Sequence, residues 1–240
     1  MTKRTRKTRG MLNRIIFCIM LGGFGLGIYA SYSIAVANGI ESSQMQGNQL
    51  SVLPSDIDLE WNLTLVNRNN YVPMDYQVEL MSLSNGIQID ERIYPSLQQM
   101  FDDARKDGIY PIVRDGYRTQ KEQEQLMSDK IRAFESEGHS EERAKELAEG
   151  WVAIPGTSEH QLGIAIDINA DSAKSINKTV YKWLADNSYK YGFILRYPQG
   201  KTEITGIQYE PWHYRYVGEE AAKEIYSLGV CLEEYLARYK

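Results

Sequence analysis

The chain has 240 residues, 42% hydrophobic and 25% charged, enough for one globular domain of ordinary size, about 100–200 residues, plus an appendage. Its first fourteen residues hold 6 of the 27 Lys and Arg and no acidic residue, leaving 21 basic against 32 acidic residues, a net of −11, for the remainder. A remainder so acidic repels phosphate backbones, which disfavours nucleic acid as a partner.

Lys3, Arg4, Arg6, Lys7, Arg9 and Arg14 precede an uncharged apolar run from Ile15 to Ala37. As a helix rising about 1.5 Å per residue, this run is long enough to cross a hydrocarbon core of roughly 30 Å. Residues 1–14 therefore read as a cytoplasmic basic segment and 15–37 as a single membrane-spanning helix, with the rest of the chain outside the cell. The competing reading is a secretory signal cleaved after Ala37, because Ala35-Val36-Ala37 resembles a small-residue cleavage site. The run is longer than the roughly 7–15 residues of a usual signal core, which favours the anchor. Bulky Phe17 argues against lipid attachment at Cys18. The second cysteine, Cys231, lies in the exported part and cannot pair with Cys18, so that part must be stable without an internal disulfide. Residues 38–58, rich in Ser, Gln, Asn and Gly, read as a polar tether.

Residues 59–240 form the domain. Leu97, Met100, Phe101 and Ala104 recur at helical spacing between Tyr94 and Lys106, and Gly108 supplies a stop. Tyr110 to Asp115 reads as a strand ending at Gly116. Residues 119–136 and 141–149 read as helices separated by Gly138-His139-Ser140, with Ser140 able to cap the second. A short β-branched run from Gly163 to Ile168 reads as a strand, Lys178 to Tyr191 as a helix, and Phe193–Tyr197 and His213–Val217 as further strands before C-terminal helices. These elements predict an α+β fold with a small central antiparallel sheet flanked by helices.

Chemistry concentrates in the segment from Ser158 to Asp167 and in Glu210-Pro211-Trp212-His213. Strand alternation puts Ile164, Ile166 and Ile168 on one face and Ala165 with Asp167 on the other. Two imidazoles, His160 and His213, with the Asp167 carboxylate make a suitable set for a catalytic metal that keeps one position open. Taken singly, His160 and Asp167 fit better as residues bonded to nearby backbone, and His213 fits as a satisfied, partly buried histidine; the joint pattern is what points to a metal. Glu210, three residues before His213 and next to Pro211, can reach the same site through a turn, where a carboxylate could accept a proton from an activated water. His139, among charged neighbours, reads as an exposed loop residue.

The pattern Ser158-x-His160-x6-Asp167 with Glu210-x-Trp212-His213 resembles the VanY-type D-alanyl-D-alanine carboxypeptidases, relatives of the VanX dipeptidases and the LdcB-type L,D-carboxypeptidases. The resemblance covers about residues 60–240. It implies one zinc ion held by His160, Asp167 and His213, with Glu210 as catalytic base and peptidoglycan stem peptides as substrate. Asp115-Gly116-Tyr117-Arg118 is similar to the family's Ser-Gly-Tyr-Arg turn, which implies that Arg118 neutralises the oxyanion. Gln123 and Ser158 align with positions that bind the substrate's terminal carboxylate. Asp115 departs from the family's usual Ser, so the geometry of that turn is open at this point.

The resulting expectation is removal of the last D-alanine from pentapeptide stems outside the membrane, either in glycopeptide resistance or in ordinary wall maturation. An L,D-carboxypeptidase acting on tetrapeptides needs the same zinc chemistry and is the alternative. A non-catalytic wall-binding domain with a structural zinc is a second, disfavoured because it needs neither Glu210 nor Arg118. Ser175-Ile176-Asn177-Lys178 matches the Ser-x-x-Lys string of serine enzymes but has no Ser-Asp-Asn or Lys-Thr-Gly partner.

Overall fold

The structure is a computed structural model and describes residues 61–239. The basic segment, the apolar run and the tether lie outside the described residues, among which no helix is long and apolar enough to cross a membrane. A short hairpin comes first, β1 (Leu80–Ser82) pairing antiparallel with β2 (Gln88–Asp90). Helix α1 (Tyr94–Lys106) has Pro95 in its first turn, where no backbone N–H is needed, and buries Leu97, Met100 and Ala104. Strand β3 (Pro111–Asp115) leads into α2 (Gln120–Ser136), whose start is fixed by a reciprocal cap. There Thr119 Oγ1 accepts from Glu122 N–H at 3.3 Å while Glu122 Oε2 accepts from Thr119 N–H at 2.8 Å. Helix α3 (Glu141–Glu149), capped by Ser140, folds back on α2 around Met127 and Ala148.

Strand β4 (Ala165–Ala170) is followed by α4 (Asn177–Asn187), β5 (Phe193–Leu195), the one-turn helix α5 (Thr202–Thr205) and β6 (His213–Tyr216). Helices α6 (Glu219–Leu228) and α7 (Leu232–Leu236) complete the domain. The four longer-range strands form one antiparallel sheet in the order β3-β4-β6-β5. This is the expected α+β plan, with the β1–β2 hairpin as an additional two-stranded sheet. Cys231 is a free, buried thiol.

Period-two alternation divides the faces of the sheet. Ile164, Ile166 and Ile168 are completely buried and pack with Val113, Tyr214, Leu97, Met100, Val180 and Leu184 in the main core. Burying each such isoleucine contributes about 1.5–3 kcal/mol. Asp167 and His213 point to the opposite face. The register pairs Ile166 with Tyr214 and Asp167 with His213, so one alignment that buries the apolar side also sets two polar side chains opposite each other on the other side. A bulge between Val113 and Asp115 brings Asp115 opposite Asp167 on the other neighbouring strand.

Candidate metal centre and active site

His160 arrives from a short 3-10 turn, Glu159–Leu162, whose end is set by Gly163 at φ 73°. A side chain there would be strained by that φ and would meet Asp90 N at 3.1 Å. The same contact lets Asp90 N–H bond Gly163 O at 2.9 Å and seats the loop on the hairpin. The imidazole is oriented from its other side, because His160 Nδ1 lies 2.7 Å from the carbonyl oxygen of Gly116. An Nδ1–H donor to that carbonyl leaves Nε2 free as a lone-pair donor. Gly116 is required for a steric reason, since a Cβ on it would sit 2.3 Å from Gln88 O.

His160 Nε2 lies 3.6 Å from Asp167 Oδ1, and His213 Nδ1 lies 3.1 Å from the same oxygen. The three donor atoms all fall within 4.8 Å of one another. Asp167 Oδ1 is buried and has no hydrogen bond of its own, an arrangement that suits a cation between the three residues. Two imidazole nitrogens and one carboxylate oxygen are a donor set appropriate to catalytic zinc. Glu210 Oε2 stands 3.6 Å from His213 Nδ1 on the same side.

Arg118 reaches the centre from the loop between β3 and α2. Its Nη2 pairs with Asp115 Oδ2 at 2.5 Å and its Nη1 donates to Gln123 Oε1 at 2.6 Å. Both ends of the planar guanidinium are therefore fixed. Arg118, Ser158, His160, Asp167, Glu210 and His213 share one cleft, whose apolar walls include Trp151, Tyr197 and Trp212.

The family model for VanY, D-alanyl-D-alanine carboxypeptidase, matches residues 86–219. The chain belongs to the VanY family. A D-alanyl-D-alanine carboxypeptidase of Enterococcus faecalis is 59% identical over 177 residues, covering 74% of this chain and 66% of that relative. The chain thus spans slightly under two thirds of that relative's length. Among solved structures, VanYB in complex with D-alanine-D-alanine is 58% identical with a TM-score of 0.74, covering 75% of this chain and 100% of that one. A mutant of the vancomycin resistance D,D-pentapeptidase VanY in complex with Zn(II) is 59% identical with a TM-score of 0.73, covering 74% and 99% respectively.

Within this VanY domain the seven residues singled out from the sequence take different positions. His160, Asp167, His213, Glu210, Arg118 and Ser158 meet at the cleft. Gln123 does not line it: the side chain is fully buried, its Oε1 engaged by Arg118 and its Nε2 donating to Ala153 O at 2.6 Å. It stands behind Arg118 as a support. Asp115, the departure from the family's usual Ser, is the other support. His139 is exposed between α2 and α3.

Two participants were not foreseen. Gly116 contributes its carbonyl to His160, a role signalled only by its place in the turn before Arg118. Glu159 is buried completely, with Oε1 2.7 Å from Arg196 Nε and 2.8 Å from Arg215 Nη1. Its position beside His160 was visible in the sequence, but its buried partners were not.

Electrostatics separate the carboxylates. Burial alone would raise the Asp167 carboxyl, yet His160 and His213 more than offset it and hold it far below the usual range. Burial likewise opposes ionisation of Glu159, and Arg196 and Arg215 overcome it. Glu210 goes the other way: burial pushes it up to about 7, against the pull of His213 and with a further push from Asp167. Burial would lower the His213 imidazole, but the Asp167 and Glu159 carboxylates raise it to about 9.

These shifts fix how the metal-free protein responds to pH. Glu210 keeps its proton up to about 7 when folded but releases it near 4.5 when unfolded. The folded state therefore binds more protons across that window, and stability falls as pH rises through it. His213, raised to about 9 from 6.5, extends the decline to higher pH with the same sign. Glu210→Gln removes the first contribution, at most about 3 kcal/mol. By calorimetry the metal-free variant should melt above wild type at pH 8 and level with it at pH 4; equal differences at both would contradict the burial of Glu210.

Proposed function

We propose that this chain is a zinc-dependent D,D-carboxypeptidase that removes the C-terminal D-alanine from peptidoglycan stem pentapeptides. The observation that carries this reading is the convergence of His160, Asp167 and His213 donor atoms within 4.8 Å, with Glu210 3.6 Å from His213. His160, Asp167 and His213 would hold the zinc, which when bound supplies a Lewis acid for the scissile carbonyl and makes a water acidic enough to be deprotonated near neutrality.

The chain's own groups perform the proton transfers. Glu210 Oε2 takes the proton of the attacking water and later gives it to the departing D-alanine nitrogen, so that one carboxylate serves as base and then as acid. Arg118, held at both ends, presents a fixed positive charge to the oxygen on which negative charge develops. Ser158, buried at the cleft, offers its hydroxyl to the substrate's terminal carboxylate. Gln123, with both ends of its amide engaged, acts through Arg118. Trp151, Tyr197 and Trp212 limit water in the cleft. The complexes of VanYB with D-alanine-D-alanine and of VanY with Zn(II) support the assignment.

Release of D-alanine from a pentapeptide stem is the direct test. It should stop when a chelator removes the metal, return with one equivalent of zinc, and be indifferent to β-lactams; release that survives complete zinc removal would refute it.

Residues 1–14 are proposed to remain in the cytoplasm, 15–37 to anchor the chain as one membrane helix, and 38–58 to tether the catalytic domain (59–240) outside. The basic residues before an uncharged apolar run support this placement. Carbonate extraction of membranes should leave the full chain in the pellet, whereas a chain begun at residue 38 should be soluble; expression of the full chain that yields a soluble product cleaved after Ala37 would favour the cleaved signal.

A further inference from the structure

Beneath the centre, on the side away from the cleft, lies a buried charged cluster that the reaction does not use. Glu159, Arg196 and Arg215 each have fully buried side chains. Arg196 donates Nε to Glu159 Oε1 at 2.7 Å and closes a two-point pair with Glu233 of α7, at 2.9 and 2.7 Å. Arg215, two residues after His213 on β6, approaches Glu159 Oε1 at 2.8 Å and also donates Nη2 to Asn62 O and Thr64 O, each at 2.9 Å. Arg196 is thus engaged by Glu159 Oε1 and Glu233, whereas Arg215 Nη1 stands close to Glu159 Oε1 as an ion pair without forming a hydrogen bond.

The second oxygen of Glu159 is left over. Glu159 Oε2 is buried without a hydrogen-bond partner, and so is His213 Nε2; the two face each other across 3.9 Å. His213 turns its Nδ1 toward Asp167 and the metal position, so the neutral, metal-binding tautomer places its proton on Nε2. An N–H buried without an acceptor is costly, as is a carboxylate oxygen without a donor. A movement of less than an ångström would satisfy both groups together.

We propose that Glu159 is the positioning residue of the metal centre: its Oε2 accepts the Nε2–H of His213, fixing the tautomer and ring orientation that direct Nδ1 to the metal. Arg196 and Arg215 hold Glu159 in place, and the Arg196–Glu233 pair ties the arrangement to α7. His160 has its own orienting contact, the Gly116 carbonyl, so each histidine is braced by a different part of the chain. Such partners tune ligand basicity and preorganisation. The C-terminal helix, remote from the cleft, thereby becomes part of the metal site.

The inference rests on His160, Asp167 and His213 being zinc ligands, and the test separates the two claims. Zinc affinity is measured by competition with a chromophoric chelator for wild type and Glu159→Gln, together with thermal unfolding of both metal-free proteins. Glu159→Gln should bind zinc about 10- to 100-fold more weakly. Because this substitution leaves two buried arginines with less neutralising charge and could unfold the chain, a second measurement uses wild type alone. In zinc-loaded, ¹⁵N-histidine-labelled protein, long-range ¹H–¹⁵N spectra should show His213 protonated at Nε2, with a downfield, slowly exchanging proton. Unchanged zinc affinity in folded Glu159→Gln, or a His213 proton on Nδ1, would overturn the proposal. Wild type that takes up no zinc would overturn the metal site itself.

Discussion

Glu210→Gln is expected to retain one zinc and the native fold yet lose about 10²- to 10⁴-fold in kcat, the usual contribution of a positioned acid–base group. The amide keeps the shape of the side chain but can neither take the proton of water nor return one to the leaving amine. Because Glu210 lies 3.6 Å from His213 Nδ1 without belonging to the three-donor set, its replacement should leave metal content unaltered. The assay is zinc quantification beside steady-state release of D-alanine. A variant with full metal content and undiminished turnover would remove Glu210 from the mechanism, whereas lost metal would make it a ligand.

Arg118→Ala should reduce kcat/KM by about 10²- to 10³-fold, the range seen when one oxyanion-stabilising group is removed. The two-point hold predicts more than the loss of a charge. Arg118 bonds Asp115 and Gln123 at once, through Nη2 and Nη1, and a lysine has no planar fork with which to do so. Arg118→Lys should therefore recover only a minor part of the loss, with most of its deficit in kcat. Full rescue by lysine would mean that any nearby cation suffices and that the clamp by Asp115 and Gln123 is incidental. The contact with Asp115 also explains how this chain tolerates a carboxylate where the family usually has Ser: the acid is neutralised by the arginine it helps to aim.

How much of this was legible in the sequence depends on the range of the interactions involved. Helix α1 has the bounds that its apolar spacing predicts, Tyr94 to Lys106, because capping and periodicity are local. The strand expected from Gly163 to Ile168 begins instead at Ala165 and runs to Ala170, since Gly163 is used at positive φ to end the turn carrying His160. The helix expected to reach Tyr191 stops at Asn187 and tightens into a 3-10 turn before Gly192. The β1–β2 hairpin is marked in the sequence only by Asn85-Gly86 at its turn, because strands of three residues carry almost no alternation.

At the site, local motifs named the six residues that meet at the cleft, but their arrangement depends on pairing between distant segments. Nothing near Asp167 in the sequence shows that it faces His213 across two strands; that follows from the register that buries Ile166 against Tyr214. Buried charge was the least legible feature. Nothing in the sequence marks Glu159, Arg196, Arg215 and Glu233 as buried partners, and only folding brings them together beneath the metal position.

D,D-carboxypeptidase activity is tested most directly by mass spectrometry of pentapeptide and tetrapeptide muropeptides incubated with the zinc-loaded protein, with and without a chelator. The pentapeptide should lose one alanine residue, the tetrapeptide should be unchanged, and the chelator should prevent the loss. Trimming of the tetrapeptide alone would make this an L,D-carboxypeptidase, and no loss from either substrate by protein shown to contain zinc would contradict a catalytic role for the centre.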